Sequence, residues 1–269
     1  MRKLLIVFLS FGFISSSFAQ TWELGGFVGS SGYMGDINQL KPYQFTDLAF
    51  GGQIKRNVDG YWAFKLSAMH GKIRGDDAKS SSVQQQQRNL NFYSPLTEVS
   101  LQTEFNFFNY LPGLFPITGS KKFSPYIFTG IGLVLFNPKT KLNDYEYELQ
   151  KYVTESSDIS DSYNKYAIAV PYGAGLKYNV KGNWNLVTEL GYRTAFTDYL
   201  DDISGNYPDF SSQNQSDPLV IERMELSDRS DPKIGLPNTQ RGDYRKKDTY
   251  MFVGLSITYT FVSRKCPTF

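Results

Sequence analysis

Glu98-Val99-Ser100-Leu101-Gln102-Thr103-Glu104-Phe105-Asn106-Phe107-Phe108 decides the fold. Val99, Leu101, Thr103, Phe105 and Phe107 fall on one face, and Glu98, Ser100, Gln102, Glu104 and Asn106 on the other. Strict period two over such a length is a β-strand with one apolar and one polar side. The pattern recurs in both directions along the chain. Towards the C-terminus, Met251, Val253, Leu255, Ile257, Tyr259 and Phe261 alternate with Gly254, Ser256, Thr258 and Thr260. Trp184, Leu186, Leu190 and Tyr192 oppose Asn185, Glu189 and Arg193; Tyr166, Ile168, Val170, Tyr172, Leu176 and Tyr178 oppose Ala167, Ala169, Gly173, Gly175 and Lys177. Towards the N-terminus, Trp62, Phe64 and Leu66 oppose Ala63, Lys65 and Ser67, while Leu48, Phe50 and Ile54 oppose Ala49, Gly51, Gln53 and Lys55. Trp22, Leu24 and Val28 oppose Glu23 and Gly25. Only Phe123 to Phe136 is apolar on both faces, which leaves its parity open.

These segments predict eight strands, roughly 9 to 14 residues each, a length that suits tilted strands crossing a membrane better than a soluble sandwich. The connections decide the architecture. Asn57-Val58-Asp59-Gly60 and Lys181-Gly182-Asn183 read as tight turns, and Asn109 to Lys122 as a somewhat longer one. The other connections, around 33–46, 72–88, 137–165 and 198–247, are long and polar. Short and long connections alternate, as they do in outer-membrane barrels with short periplasmic turns and long outer loops. The expected fold is therefore all-β: an eight-stranded antiparallel transmembrane outer-membrane β-barrel, with both termini in the periplasm. Trp22, Trp62, Trp184, Tyr178 and Tyr192 lie near strand ends, where interfacial aromatic belts sit. The competing fold is an exported sandwich or lipocalin-like barrel, which would bury its apolar side inside. An eight-stranded membrane barrel instead fills a narrow lumen with side chains. Lys55, Lys65, Glu98, Glu104, Lys177, Glu189 and Arg193 would then neutralise one another within it as a packing network, and a conducting pore is not expected.

Composition agrees. Of 269 residues, 16% are aromatic, with 19 Tyr and 21 Phe beside 23 Gly, which excludes a disordered chain and favours strands. Mean hydropathy is −0.37, which excludes a bundle of membrane-spanning helices. One His and one Cys rule out most zinc and iron–sulfur sites, and no cofactor is expected. Arg2 and Lys3, the apolar run Leu4 to Ile14 and the small-x-small Ser17-Phe18-Ala19 predict a secretory signal peptide over 1–19. Without Arg2 and Lys3, 26 basic residues face 26 acidic ones, a balance that gives nucleic acid no purchase. The domains expected are the signal peptide, a barrel over 20–261 and a periplasmic tail over 262–269.

Several stretches resemble a known family. Gly35-Asp36-Ile37-Asn38, Lys72-Ile73-Arg74-Gly75-Asp76-Asp77-Ala78 and Phe123-Ser124-Pro125-Tyr126 carry part of the likeness. The run Tyr192 to Asp202, with Phe196-Thr197-Asp198-Tyr199-Leu200-Asp201-Asp202 as its most specific part, carries more, with Leu226-Ser227-Asp228-Arg229-Ser230 and the closing strand Tyr250 to Phe261. Together they are similar to the PorG family, small outer-membrane barrels of the type IX secretion system of Bacteroidota. The resemblance covers about 21–261. It implies a non-enzymatic role in protein secretion and gliding motility, beside a periplasmic ring lipoprotein and its partner (the PorK and PorN type) and beneath the outer-membrane translocon. Val262 to Phe269 run on past the point where that family tends to stop. The reading from the residues alone keeps a second class open, a free-standing OmpA-like barrel that is structural or binds a surface ligand; outer-membrane lipid surrounds either.

Local features carry further expectations. His70 continues the outward parity of Trp62 and could serve as a general base at the barrel wall, but no triad accompanies it, and an interfacial role is expected. Arg74-Gly75-Asp76 and Arg241-Gly242-Asp243 spell an adhesion tripeptide, yet Gly-Asp is ordinary turn chemistry. Asp198, Asp201 and Asp202 are candidate calcium ligands, although their spacing is not that of an EF-hand. Gln84 to Gln87 reads as a low-complexity loop. Asp217 as N-cap and Pro218 as the first helical residue predict a short helix through Glu225 that folds over the barrel mouth or meets a partner. Cys266, an unpaired thiol preceded by Arg264 and Lys265, is a candidate crosslink to a periplasmic ring component.

Overall fold

The computed structural model describes residues 21–38, 45–115 and 119–262. The expected signal peptide and Cys266 lie outside the described residues.

Eight strands close into an antiparallel barrel: β1 (Thr21–Met34), β2 (Phe45–Asn57), β3 (Trp62–Asp76), β4 (Asn91–Asn106), β5 (Phe123–Phe136), β8 (Tyr166–Lys181), β9 (Trp184–Ala195) and β10 (Thr249–Val262). Each pairs with its neighbours in chain order, and β1 and β10 close the ring, from Thr21 opposite Val262 to Met34 opposite Thr249. This is the up-and-down topology of outer-membrane barrels. At one end the β2–β3 connection is tight because the Asp59 carboxylate accepts from the backbone N–H of Tyr61 and of Trp62, each at 2.7 Å. Gly182 turns the β8–β9 connection with φ +56°. The other end carries the long connections.

The outward faces are apolar. Leu24, Val28, Phe64, Leu66, Val99, Leu101, Ile131, Leu133, Leu190, Leu255 and Ile257 are all exposed, an arrangement that water opposes and hydrocarbon favours. At the short-turn end Trp62 packs on Phe105 (4.9 Å between ring centres) and Trp184 on Tyr259 (5.0 Å), and Tyr172 stacks on Tyr192 nearer the other end. Met251 shares the outward parity but is fully covered. A strand of 14 residues such as β1 spans about 35 Å once tilted, more than the roughly 25 Å apolar band. The strands thus project past the band at the long-loop end.

There the loops form a cap rather than polar tethers. A short hairpin, β6 (Lys139–Leu142) with β7 (Tyr145–Glu148), extends from β4 through Tyr93 opposite Lys139. Residues 137–165 were expected to be loop; Asn143 and Asp144, both at positive φ, supply the turn that the right-handed twist of a hairpin needs. The glutamine run is not a loop either. It forms helix α1 (Val83–Arg88), ended by Asn89 in the left-handed region, and its Gln85 donates to the Asp36 carbonyl at 2.8 Å. Straight-chain glutamines lose little freedom in a helix. After α2 (Leu149–Tyr152) comes α3 (Pro218–Ser227), where Asp217 caps Leu219 N–H at 2.9 Å and Pro218 opens the first turn, as expected. One apolar core runs from the barrel into the cap: Ile37, Ile73, Leu90, Phe92, Leu149, Leu200, Ile203 and Leu226 pack with Tyr33, Tyr250 and Phe252, in the same cluster as Phe27, Ala49 and Met69 of the strands.

Candidate functional site

Two polar clusters lie on the barrel axis. The lower one fills the lumen. Inward parity brings Glu23, Lys55, Lys65, Glu98, Glu104, Lys177, Glu189 and Arg193 together, all buried, four anions against four cations. Glu104 is the hub, 2.9 Å from Lys55, 3.4 Å from Lys65 and 2.5 Å from Lys177. Lys65 also reaches Glu189 at 2.6 Å, and Arg193 links Glu189 (3.1 Å) to Glu98 (3.2 Å). Tyr250 donates to Glu98 at 2.7 Å. Glu23, which sequence reasoning left out of this network, accepts from Asn57 (2.6 Å) and Thr258 (2.8 Å); its alternation with Trp22 and Leu24 was the available signal.

Strand β5 resolves its own ambiguous parity here. Ile127, Ile131, Leu133 and Leu135 face outward, while Tyr126 and Phe128 face inward as ring partners of the lysines. Lys177 lies 4.5 Å from the Tyr126 ring centre and Lys65 4.8 Å from that of Phe128. Gly173 and Gly191 leave the space that the Phe128 ring fills. These charges are thus held inside the lumen by opposite charges and ring faces.

The upper cluster joins the loops. Asp77 pairs with Arg88 at 2.7 Å, and Arg88 donates to the carbonyls of Arg241 (2.5 Å) and Asp36 (3.1 Å). Arg241, itself buried, pairs with Glu155 at 2.9 Å and donates to the carbonyls of Asp202 (2.9 Å) and Ser227 (3.1 Å). The second adhesion-like tripeptide is thus enclosed, and in the first Arg74 is tied to Asp47 at 2.6 Å. Arg223 on α3 donates to the carbonyls of Tyr152 (2.8 Å) and Ser156 (2.6 Å).

The three candidate calcium ligands part company. Asp202 accepts from Thr154 (2.5 Å) and Tyr163 (2.6 Å), and burial raises its pKa to about 6 although Arg241 opposes the shift. Asp198 is buried but stands outside the close group. Asp201 instead meets Asp36 and Asp248, with one carboxylate oxygen of each within 4.8 Å of the others. Burial pushes all three carboxyls up; Asp248 and Asp36 add to it at Asp201, Asp36 and Asp198 at Asp248, and Asp243 and Asp198 at Asp36, where the Asp243 N–H and Arg88 oppose the shift. Sequence reasoning missed Asp36 and Asp248. The signal was positional: β9, β10 and β1 are neighbours, Asp36 and Asp248 sit within two residues of the ends of β1 and β10, and Asp201 follows β9 by six residues. His70 faces outward, its Nδ1 2.9 Å from Thr97 Oγ1 and its ring 5.3 Å from that of Phe50.

No protein of curated function matches the chain in sequence. Among solved structures, the N-terminal β-barrel domain of Pseudomonas aeruginosa OprF is 14% identical, aligned over 90% of this chain and 97% of that one, with a TM-score of 0.38. Ail, the attachment invasion locus protein of Yersinia pestis, solved with the heparin analogue sucrose octasulfate, is 11% identical over 91% and 100%, TM-score 0.42. Escherichia coli outer membrane protein W is 14% identical over 89% and 97%, TM-score 0.38. The barrel assignment rests on the strand pairing above, not on these distant likenesses. A family model, the domain of unknown function DUF6089, matches residues 2–218, most of the chain, and the protein belongs to that family.

Proposed function

We propose that this barrel is a non-enzymatic outer-membrane component of type IX protein secretion, working by contact with the periplasmic ring lipoprotein, its partner and the translocon. In this reading both termini and the short turns face the periplasm, and the cap faces outward. One observation carries the proposal. The segments that resemble the PorG family are scattered along the sequence, yet four of them converge on one linked pair of arginines in the cap: Arg88 holds the Asp77 carboxylate and the Asp36 carbonyl, Arg241 holds the Asp202 and Ser227 carbonyls, and Arg88 donates to the Arg241 carbonyl. That part of the likeness lies in a built element, beside the part that lies in the strands. The neutral, packed lumen fits a role performed by surfaces instead of transport through the barrel.

The test is affinity purification of the tagged full chain from envelopes extracted in mild detergent. The ring lipoprotein and its partner should co-purify in stoichiometric amounts. A clean monomer without them would overturn this reading and favour a free-standing structural or ligand-binding barrel.

A further inference from the structure

We propose that Asp36, Asp201 and Asp248 bind a calcium ion that ties the ends of β1, β9 and β10 together beneath the cap. Each side chain is 1% exposed. Among the described residues no Lys or Arg side chain forms an ion pair with any of them, in contrast to Asp77, Glu104, Glu155 and Glu189. Arg88 acts on Asp36 and Asp201 without pairing with them, since its own partner is Asp77; three buried carboxylates with no paired cation are costly, and a protein resolves that by protonating them or by supplying a metal.

A second observation points to a ligand at this place. Asp201 is satisfied by the Ile203 N–H (2.9 Å) and the Tyr33 hydroxyl, and Asp36 Oδ1 by the Asp243 N–H. Asp248 Oδ2 accepts from Leu200 N–H at 3.0 Å, but its Oδ1 is buried with no hydrogen-bond partner. That oxygen points into the group. A Cβ built on Gly35 would collide with both Asp248 Oδ1 and the Tyr33 hydroxyl, so the two atoms flank one point, and Tyr33 bonds Asp201. Asp198, whose Oδ1 is likewise orphaned, acts electrostatically on both Asp36 and Asp248 and adds negative charge at the same place.

The donor set decides the metal. An all-carboxylate donor set, with no imidazole or thiolate, suits hard cations. Calcium binds oxygens at about 2.3–2.6 Å in irregular geometry, so two ligands on opposite sides can stand about 4.6–5.2 Å apart. Magnesium, at about 2.0–2.1 Å and reluctant to shed water, suits an open octahedral site better than this enclosed one. The three oxygens all lie within 4.8 Å of one another, inside calcium's reach.

Terbium is the probe, because a tyrosine next to a bound lanthanide sensitises its emission, and Tyr33 bonds Asp201 directly. Full-length protein, chelator-treated in detergent, should show saturable terbium emission under tyrosine excitation, displaced by calcium but not by equal magnesium. Asp248→Asn and Asp201→Asn should each weaken calcium's displacement tenfold or more, while the exposed control Glu225→Gln leaves it unchanged. Retained heat-modifiable mobility on gels verifies that the variants fold. Wild-type protein with no calcium-displaceable emission would overturn the proposal whatever the variants do. So would displacement by magnesium as effective as by calcium, or emission that survives intact in folded Asp248→Asn.

Discussion

Glu104→Gln tests whether the lumen charges hold the barrel together. The substitution keeps the side chain's shape and removes only the charge that Lys55, Lys65 and Lys177 share at 2.9, 3.4 and 2.5 Å. Lys65 retains Glu189 at 2.6 Å, and Lys177 retains the Asn106 side-chain oxygen at 2.7 Å, so the loss falls mainly on Lys55 and Lys177. Both are 1% exposed and cannot rehydrate without opening the barrel. Breaking a buried pair by deleting one partner costs about 3–5 kcal/mol. With a urea slope of about 1–3 kcal/mol/M, the midpoint should fall by roughly 2 M. The assay is equilibrium unfolding in detergent, followed by the fluorescence of Trp22, Trp62 and Trp184. Restoring neutrality with Lys177→Met in the same chain should recover at least half of the loss, since the cycle removes the orphaned cation along with its partner. A loss below about 1 kcal/mol for Glu104→Gln alone, with no recovery in the double variant, would mean that water reaches the lumen and the network is not structural.

Leu255→Arg places a charge on the apolar belt opposite Val28 and Thr188, near mid-strand, and should cost about 2–4 kcal/mol; the folded, membrane-inserted fraction measures it, and full insertion would show the faces to be reversed. Arg241→Ala takes the cation from the partly buried Glu155 carboxylate, which keeps the Ser204 and Gly205 N–H groups, and the donor from two carbonyls, and should loosen the cap by about 1.5–3 kcal/mol; limited proteolysis should then cleave between β9 and β10 while the barrel keeps its heat-modifiable mobility. In planar bilayers the purified wild-type chain should give no stable conductance steps, because the lumen is closed by paired charges and rings; regular steps would refute the packed axis.

Period-two alternation and the spacing of turn residues suffice to write down the eight strands, because a barrel's two environments force every strand to declare its parity. Where that logic weakens, the structure shows why. β5 carries apolar residues on both faces since two of its inward rings serve as partners for lysine cations, a use that composition cannot distinguish from burial in lipid. The β6–β7 hairpin is invisible to an apolar pattern: Lys139-Thr140-Lys141-Leu142 and Tyr145-Glu146-Tyr147-Glu148 present polar groups on both sides, and only Asn143-Asp144 marks the turn. Helix α3 could be read because its start is chemical and local, a carboxylate cap followed by proline. Helix α1 could not, since four glutamines are equally at home in a loop.

The acidic triad illustrates the harder limit. Asp198, Asp201 and Asp202 looked like a set because they are close in sequence, but backbone geometry sends Asp201 and Asp202 to opposite sides, one to Tyr33 and the other to Thr154 and Tyr163. The true neighbours of Asp201 come from the opposite ends of the described chain, Asp36 just after β1 and Asp248 just before β10. Once β1 is known to close on β10, and β10 to pair with β9, their convergence follows from topology. Closure is a property of the whole sheet, so no local window of sequence contains it. The order of inference in such a protein therefore runs from parity to strand count, from strand count to closure, and only from closure to which loop residues share a site. A cation held there would bind the first strand to the last two at the seam where the ring closes.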